Sequence, residues 1–211
     1  MSILKTIIFN PQFASQFLKP KGLIGICVSR VMKDNNFFVY PGIEQYANFQ
    51  NDNKILEIGF GPGIGINYYL NKYDVTIDGI DFSRLMVNEA KKRNRKFITK
   101  GCLKLIYDDF IEHIFEDKYD RIIFANTIYF WEDLLLVFSK INKLLSANGQ
   151  LIFYMSNKQL LDKNKVANNP LFIKYTIEYV HEIIQKANFK NIQINSIINS
   201  NNEYLVVSAD K

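Results

Sequence analysis

From Lys54 onward the chain repeats one pattern: a short apolar run, a turn, then a stretch whose apolar positions recur every three or four residues. KILEIGF (54–60), VTIDGID (75–81), LKLIYDD (103–109), DRIIFAN (120–126) and QLIFYMS (150–156) read as five strands. Their apolar residues run nearly continuously, the mark of strands buried on both faces of a parallel sheet. INYYLNKY (66–73), SRLMVNEAKKRNRK (83–96) and EDLLLVFSKINKLLSANG (132–149) read as the intervening helices. Ser83 is a good residue to cap the second. In the third, apolar residues at 134, 135, 137, 138, 141, 144 and 145 share one face, and Gly149 is expected to stop it.

The C-terminal third departs from this alternation. A helix over YTIEYVHEIIQKA (175–187) is followed by NIQINSIINS (191–200) and NEYLVVSA (202–209). So short a turn forces an antiparallel pair, because a parallel return needs a crossover. The predicted fold is therefore α/β, a Rossmann-like seven-stranded sheet, mostly parallel, with an antiparallel C-terminal hairpin strand and helices on both faces. Residues 1–53 lie outside the pattern and are expected to form a helical cap or lid over a domain spanning 54–211. Exposed helical arms would leave the Ile, Val and Met of FASQFLKPKGLIGICVSRVMKDNN (13–36) uncovered. A polar insertion without clear period occupies 156–174.

Composition narrows the function without choosing it. Hydrophobic residues at 48% and charged residues at 22% describe a folded domain, and 211 residues suffice for one sizeable core. The net charge of +5 is too diffuse to favour nucleic acid. It leaves a membrane surface as an alternative, with Lys19, Lys21, Arg30 and Lys33 as the contacting cations. Two cysteines, Cys27 and Cys102, and two distant histidines, His113 and His181, supply neither a disulfide framework nor a zinc set, so no metal is expected and the setting is read as cytoplasmic. The N-terminal apolar stretch is too short for a signal-peptide core, and no later one is long enough to span a bilayer.

The chemistry sits in ILEIGFGPGIG (55–65). A glycine turn leaving a buried strand lets backbone approach a ligand closely. A triphosphate loop starting at Gly59 would need Gly at 64 and Lys at 65, where Ile64 and Gly65 stand. The dinucleotide spacing fails as well, since its third glycine falls on Ile64 or Ile66. What remains is an acid, Glu57, two residues before Gly59, Gly61 and Gly63. Such an acid suits an amino group better than a pyrophosphate. Asp81, ending the second strand, can accept from ribose hydroxyls.

These residues resemble motif I and its downstream acid in the class I S-adenosylmethionine-dependent methyltransferases. YDRIIFANTIYFWEDLLLVFSKINKLLSANGQLIF (119–153) and the N-terminal FLKPKGLIGICVSRVMKDNN are similar to segments of small bacterial members, of the type 11-like kind. Asn148 and Asn188 stand where the family usually has glycine, and Asn tolerates the left-handed conformation next best. The resemblance implies S-adenosyl-L-methionine as cofactor, held by Glu57, Gly59, Phe60, Gly61, Gly63, Asp81, Phe82, Asp109, Phe110 and Asn126. Asp109 would receive the adenine amino group, with Phe110 beside the ring. Tyr129 and Trp131 become candidate walls for a small-molecule acceptor. Members that methylate nucleobase amines have two prolines after the Asn, which this chain lacks. No catalytic acid or base is compulsory for displacement at a methyl group. His113 and His181 are the titratable candidates should a base be used. A non-catalytic binding or assembly module on the same fold, and a lipid or quinone methyltransferase at a membrane surface, are the alternatives.

Overall fold

The computed structural model describes residues 15–20, 22, 37–199 and 202–211. Most of the expected cap, with Cys27, Lys21, Arg30 and Lys33, lies outside the described residues. Within it are one helical turn, Ser15–Leu18, and helix α1, Val39–Ala47.

Strands β1 (Lys54–Ile58), β2 (Thr76–Asp81), β3 (Leu103–Tyr107), β4 (Tyr119–Ala125) and β5 (Leu145–Ser156) are parallel. β7 (Asn202–Asp210) is antiparallel to β5, and β6 (Lys190–Asn199) is antiparallel to β7, giving the order β3-β2-β1-β4-β5-β7-β6. The hairpin expected from the short 200–201 turn is thus present, and its second strand enters the sheet ahead of its first. Chain order reverses between β1 and β4. In open α/β sheets the ligand crevice lies beyond the carboxyl ends of strands at such a point.

Period-two alternation assigns β1 to two cores. Leu56 and Ile58 face helices α5 (Leu134–Leu144) and α7 (Ile177–Lys186). Ile55 faces α1, α2 (Ile64–Leu70), α3 (Arg84–Arg93) and α4 (Arg95–Thr99), and Glu57 shares its face. An acid therefore occupies a core position beneath the aromatic rings of Tyr40 and Tyr69. On the outer side of that layer Glu44 accepts hydrogen bonds from the Tyr68 and Tyr73 hydroxyls and pairs with Lys72, clamping α1 to the end of α2.

Several local features differ from the sequence reading. α5 ends at Leu144, not Gly149, because Leu145 is already extended and pairs with Tyr119 of β4. Leu135, placed on the buried face by periodicity, is 40% exposed. Ser83 starts α3, yet its hydroxyl does not cap it. That helix also breaks at Asn94, a fully buried side chain that donates to the Gly63 and Ala90 carbonyls and accepts from Asn67. Asn188, by contrast, ends α7 at φ 64°, as its tolerance of that region allows. Among the described residues no helix is long and apolar enough to cross a membrane.

Gly63 joins two of these elements. Its φ is 70°, and a Cβ there would lie 2.8 Å from the Cβ of Ala90 and 2.7 Å from Nδ2 of Asn94. Gly63→Ala is expected to lower the unfolding free energy by about 1–3 kcal/mol, through backbone strain and overpacking, as read by urea denaturation.

Candidate active site

The glycine turn, the end of β2 and the segment after β4 meet in one cavity at the carboxyl ends of the strands. Glu57, Gly59, Phe60, Gly61, Asp81, Phe82 and Asn126 line it, seven of the ten residues predicted to hold the cofactor. Leu18, Pro20, Tyr40, Met86, Thr127 and Phe130 line it as well.

Asp81 organises the site. Its Oδ2 accepts from the Gly61 N–H at 2.9 Å and its Oδ1 from the Ser83 N–H at 2.8 Å. The strand end thereby fixes both the glycine turn and the first turn of α3. The Ser83 hydroxyl makes no capping bond and donates to the Pro20 carbonyl at 3.1 Å. Burial raises the Asp81 pKa from 3.8 to about 6, with the two N–H bonds and the Lys19 ammonium opposing that rise. Asp81 is therefore mostly ionised at neutral pH.

Glu57 is in the opposite condition. It is 6% exposed, and its Oε2 has no hydrogen-bond partner among the described residues. Burial, assisted by the Asp81 charge, raises its pKa from 4.5 to about 8. Its neighbour Tyr40 is held protonated, chiefly by burial and then by Glu57. A buried polar atom without a partner calls for an explanation. An amino group entering the cavity would supply one.

Gly61 completes the cradle. Its φ is 54°, and a Cβ built on it meets nothing within 4 Å. Gly61 itself lines the cavity, so its bare backbone is open to a ligand there. The donor set therefore fits a nucleoside that carries an amino acid: an unpartnered carboxyl, an ionised carboxylate at a strand end, and bare backbone between them.

The other predicted residues lie elsewhere. Gly63 caps α2 and touches α3, so the α2–α3 packing accounts for it. Asp109 is exposed, accepts from the Ile111 N–H at 2.7 Å, and lines a neighbouring cleft with Trp131. Phe110 is buried against Phe115 and Trp131. Tyr129 is buried too: its hydroxyl accepts from the Ser156 N–H at 2.5 Å and donates to Asn126 at 3.2 Å. Phe130, between the two predicted aromatics, is the one that reaches the cavity. Three consecutive aromatics give no sequence signal for which of them faces in. His113 pairs with Asp108 at 2.8 Å, and neither it nor His181 lines the cavity.

The insertion folds onto this segment. Helix α6 (Lys158–Lys163) is capped by Asn157, and Asp162 bridges Lys158 and Lys174. The Ile173 N–H then donates to the Tyr129 carbonyl at 2.9 Å, and Phe172 packs edge-on to Phe130 at 4.9 Å.

A family model described as a methyltransferase domain matches residues 56–151. The phosphoethanolamine N-methyltransferase 2 of Caenorhabditis elegans is 26% identical over 169 residues, 74% of this chain and 38% of that protein. The malonyl-[acyl-carrier protein] O-methyltransferase 1 of Ilyobacter polytropus is 32% identical over 129 residues, 60% of this chain and 44% of that protein. The chain thus spans less than half the length of either. The structure of Haemonchus contortus phosphoethanolamine N-methyltransferase 2 in complex with S-adenosyl-L-methionine superposes with a TM-score of 0.69, covering 83% of this chain and 52% of that one at 16% identity, a likeness of fold. Sheet order, glycine turn and the 56–151 match converge: residues 56–151 match a methyltransferase domain, and the chain is similar to S-adenosylmethionine-dependent methyltransferases.

Proposed function

We propose that the chain transfers a methyl group from S-adenosylmethionine to a small-molecule acceptor. The observation that carries this reading is the unpartnered, buried carboxyl of Glu57 in the same cavity as Asp81 and the bare Gly61 backbone. S-adenosylmethionine supplies an electrophilic methyl on a sulfonium. Glu57 would meet the amino group and Asp81 the ribose hydroxyls. The rings of Tyr40, Phe60, Phe82 and Phe130 surround the space between with π-faces suited to a cation.

The protein's part is largely alignment and exclusion of water, which can supply roughly 7–11 kcal/mol. Phe130, backed by Phe172 of the insertion, forms the acceptor-side wall. Tyr129 acts behind it, pinning Ser156 and Ile173 so that the insertion stays in place. Asp109 sits in the adjoining cleft, one ring away from the cavity, and adenine reaching that cleft would bring it into play. The relatives named above are a phosphoethanolamine N-methyltransferase and a malonyl-[acyl-carrier protein] O-methyltransferase, so likeness alone does not choose the acceptor atom.

Isothermal titration with S-adenosylmethionine tests the foundation, and no binding to the intact protein would sink it. Gly61→Val is expected to abolish binding. Asp81→Ala should weaken it about 10- to 100-fold, the scale of a lost charge-assisted hydrogen bond plus a loosened turn, and Asp108→Ala much less. Methyl transfer to any member of an acceptor panel then separates an enzyme from a binding module.

The raised Glu57 pKa gives a proton-linked prediction. At pH 7 the ligand-free carboxyl is mostly protonated, and an incoming ammonium favours its ionised form. Binding at pH 7 should release close to one proton, seen as a dependence of binding enthalpy on buffer ionisation enthalpy. Affinity should rise from pH 6 to 8. Folding shows the opposite sign. The folded chain keeps this proton above 4.5 while the unfolded chain loses it, so the contribution of Glu57 to stability is full below 4.5 and falls as pH rises toward 8. Glu57→Gln should remove the proton release at pH 7 and the part of both dependences above about pH 7, leaving the Asp81 titration near 6.

A further inference from the structure

The cavity encloses about 80 Å³. Pockets that hold small organic ligands typically measure about 300–1,000 Å³. A nucleoside carrying an amino acid needs more room than this partly open lining leaves, and a wall that yields would supply it. Most of the lining belongs to strand ends and helix starts that the sheet holds. Leu18 and Pro20 are the exception, reaching the cavity from a segment distant in sequence.

Polar contacts to the predicted ribose corner help hold that segment down. The Ser83 hydroxyl donates to the Pro20 carbonyl. The half-buried Lys19 places its ammonium 5.1 Å from the centre of the Phe82 ring, within electrostatic reach of Asp81. Phe82 and Asp81 are themselves cavity residues. A lysine that composition alone assigns to a membrane surface is turned inward, onto the site.

We infer that Lys19 is a residue of the cofactor site: it latches the Leu18–Pro20 strap across the cavity by occupying the Asp81–Phe82 corner, and the nucleoside must displace it to bind. The inference rests on the S-adenosylmethionine reading of this cavity. Strap and nucleoside compete for one carboxylate and one ring face, so the latch contact is made only in the free chain and entry has to break it. The latch therefore slows association and weakens affinity, and leaves escape largely unaffected. Because the contact is electrostatic and only partly buried, salt weakens it.

Surface plasmon resonance with S-adenosylhomocysteine, which cannot react, reads the two rates separately. Lys19→Met should raise the association rate by about three- to fivefold, the scale of a partly screened charge contact, with dissociation little changed and Kd lowered by the same factor. Ser83→Ala should raise the association rate by a smaller factor, again with dissociation little changed. Raising salt should speed association to the wild-type chain and not to Lys19→Met. Unchanged rates in both variants would overturn the latch. So would faster dissociation alone in Lys19→Met, which would make Lys19 a direct ligand of the cofactor. Should circular dichroism show Lys19→Met misfolded, Lys19→Gln and Ser83→Ala carry the same comparison. Failure of the wild-type chain to bind removes the cofactor reading itself, which distinguishes that failure from failure of the latch.

Discussion

Asp81 is a buried carboxylate whose two oxygens are each claimed by a backbone N–H, one from Gly61 and one from Ser83. Those bonds offset the cost of holding an ion at the end of a buried strand, and they also decide the geometry around it. The glycine turn takes its shape from the first bond and α3 starts from the second. The Ser83 hydroxyl, which makes no capping bond, reaches Pro20. Turn, helix and strap are thus registered to a single side chain. The cavity they enclose exists because that side chain is where it is.

Glu57 shows the complementary economy. It occupies a position on β1 that faces the same core as Ile55, and an aliphatic residue there would pack without an orphan oxygen. Burial keeps it mostly protonated at neutral pH, which limits the cost of an acid in the core. Sequences break a local rule in this way where a site needs the group more than the fold does. Asp81 and Glu57 lie in one cavity with their pKa values pushed to about 6 and about 8, so one carboxyl is largely charged and the other largely neutral before any ligand arrives.

The aromatic segment after β4 divides its labour by position. Tyr129 turns into the core and holds Ser156 and the insertion, Phe130 faces the cavity, and Trp131 faces the next cleft. The insertion looks featureless as sequence because its order comes from outside it. A main-chain bond from Ile173 to Tyr129 and the Phe172 ring against Phe130 tie it down, and neither contact leaves a period in the chain. Asn94 is similar: an ordinary polar residue in a helical run, it proves fully buried because Gly63, Ala90 and Asn67 supply partners from two helices.

The strands, their parallel pairing, the closing hairpin and the glycine turn with its acid were all legible in the chain. They follow from local periodicity, loop length and residue chemistry, which act over a few residues. The end of α5 was not, since Leu145 is drawn into extended pairing by Tyr119, 26 positions away along the chain, against a helical periodicity that continues past it. The same holds for which of Tyr129, Phe130 and Trp131 meets the ligand, for the inward turn of Lys19, and for the charge states of Glu57 and Asp81. Each depends on desolvation and on neighbours that only the folded sheet brings within a few ångströms. The sequence determined what chemistry was present and on which elements; burial and proximity in three dimensions decided which of it faces the cavity.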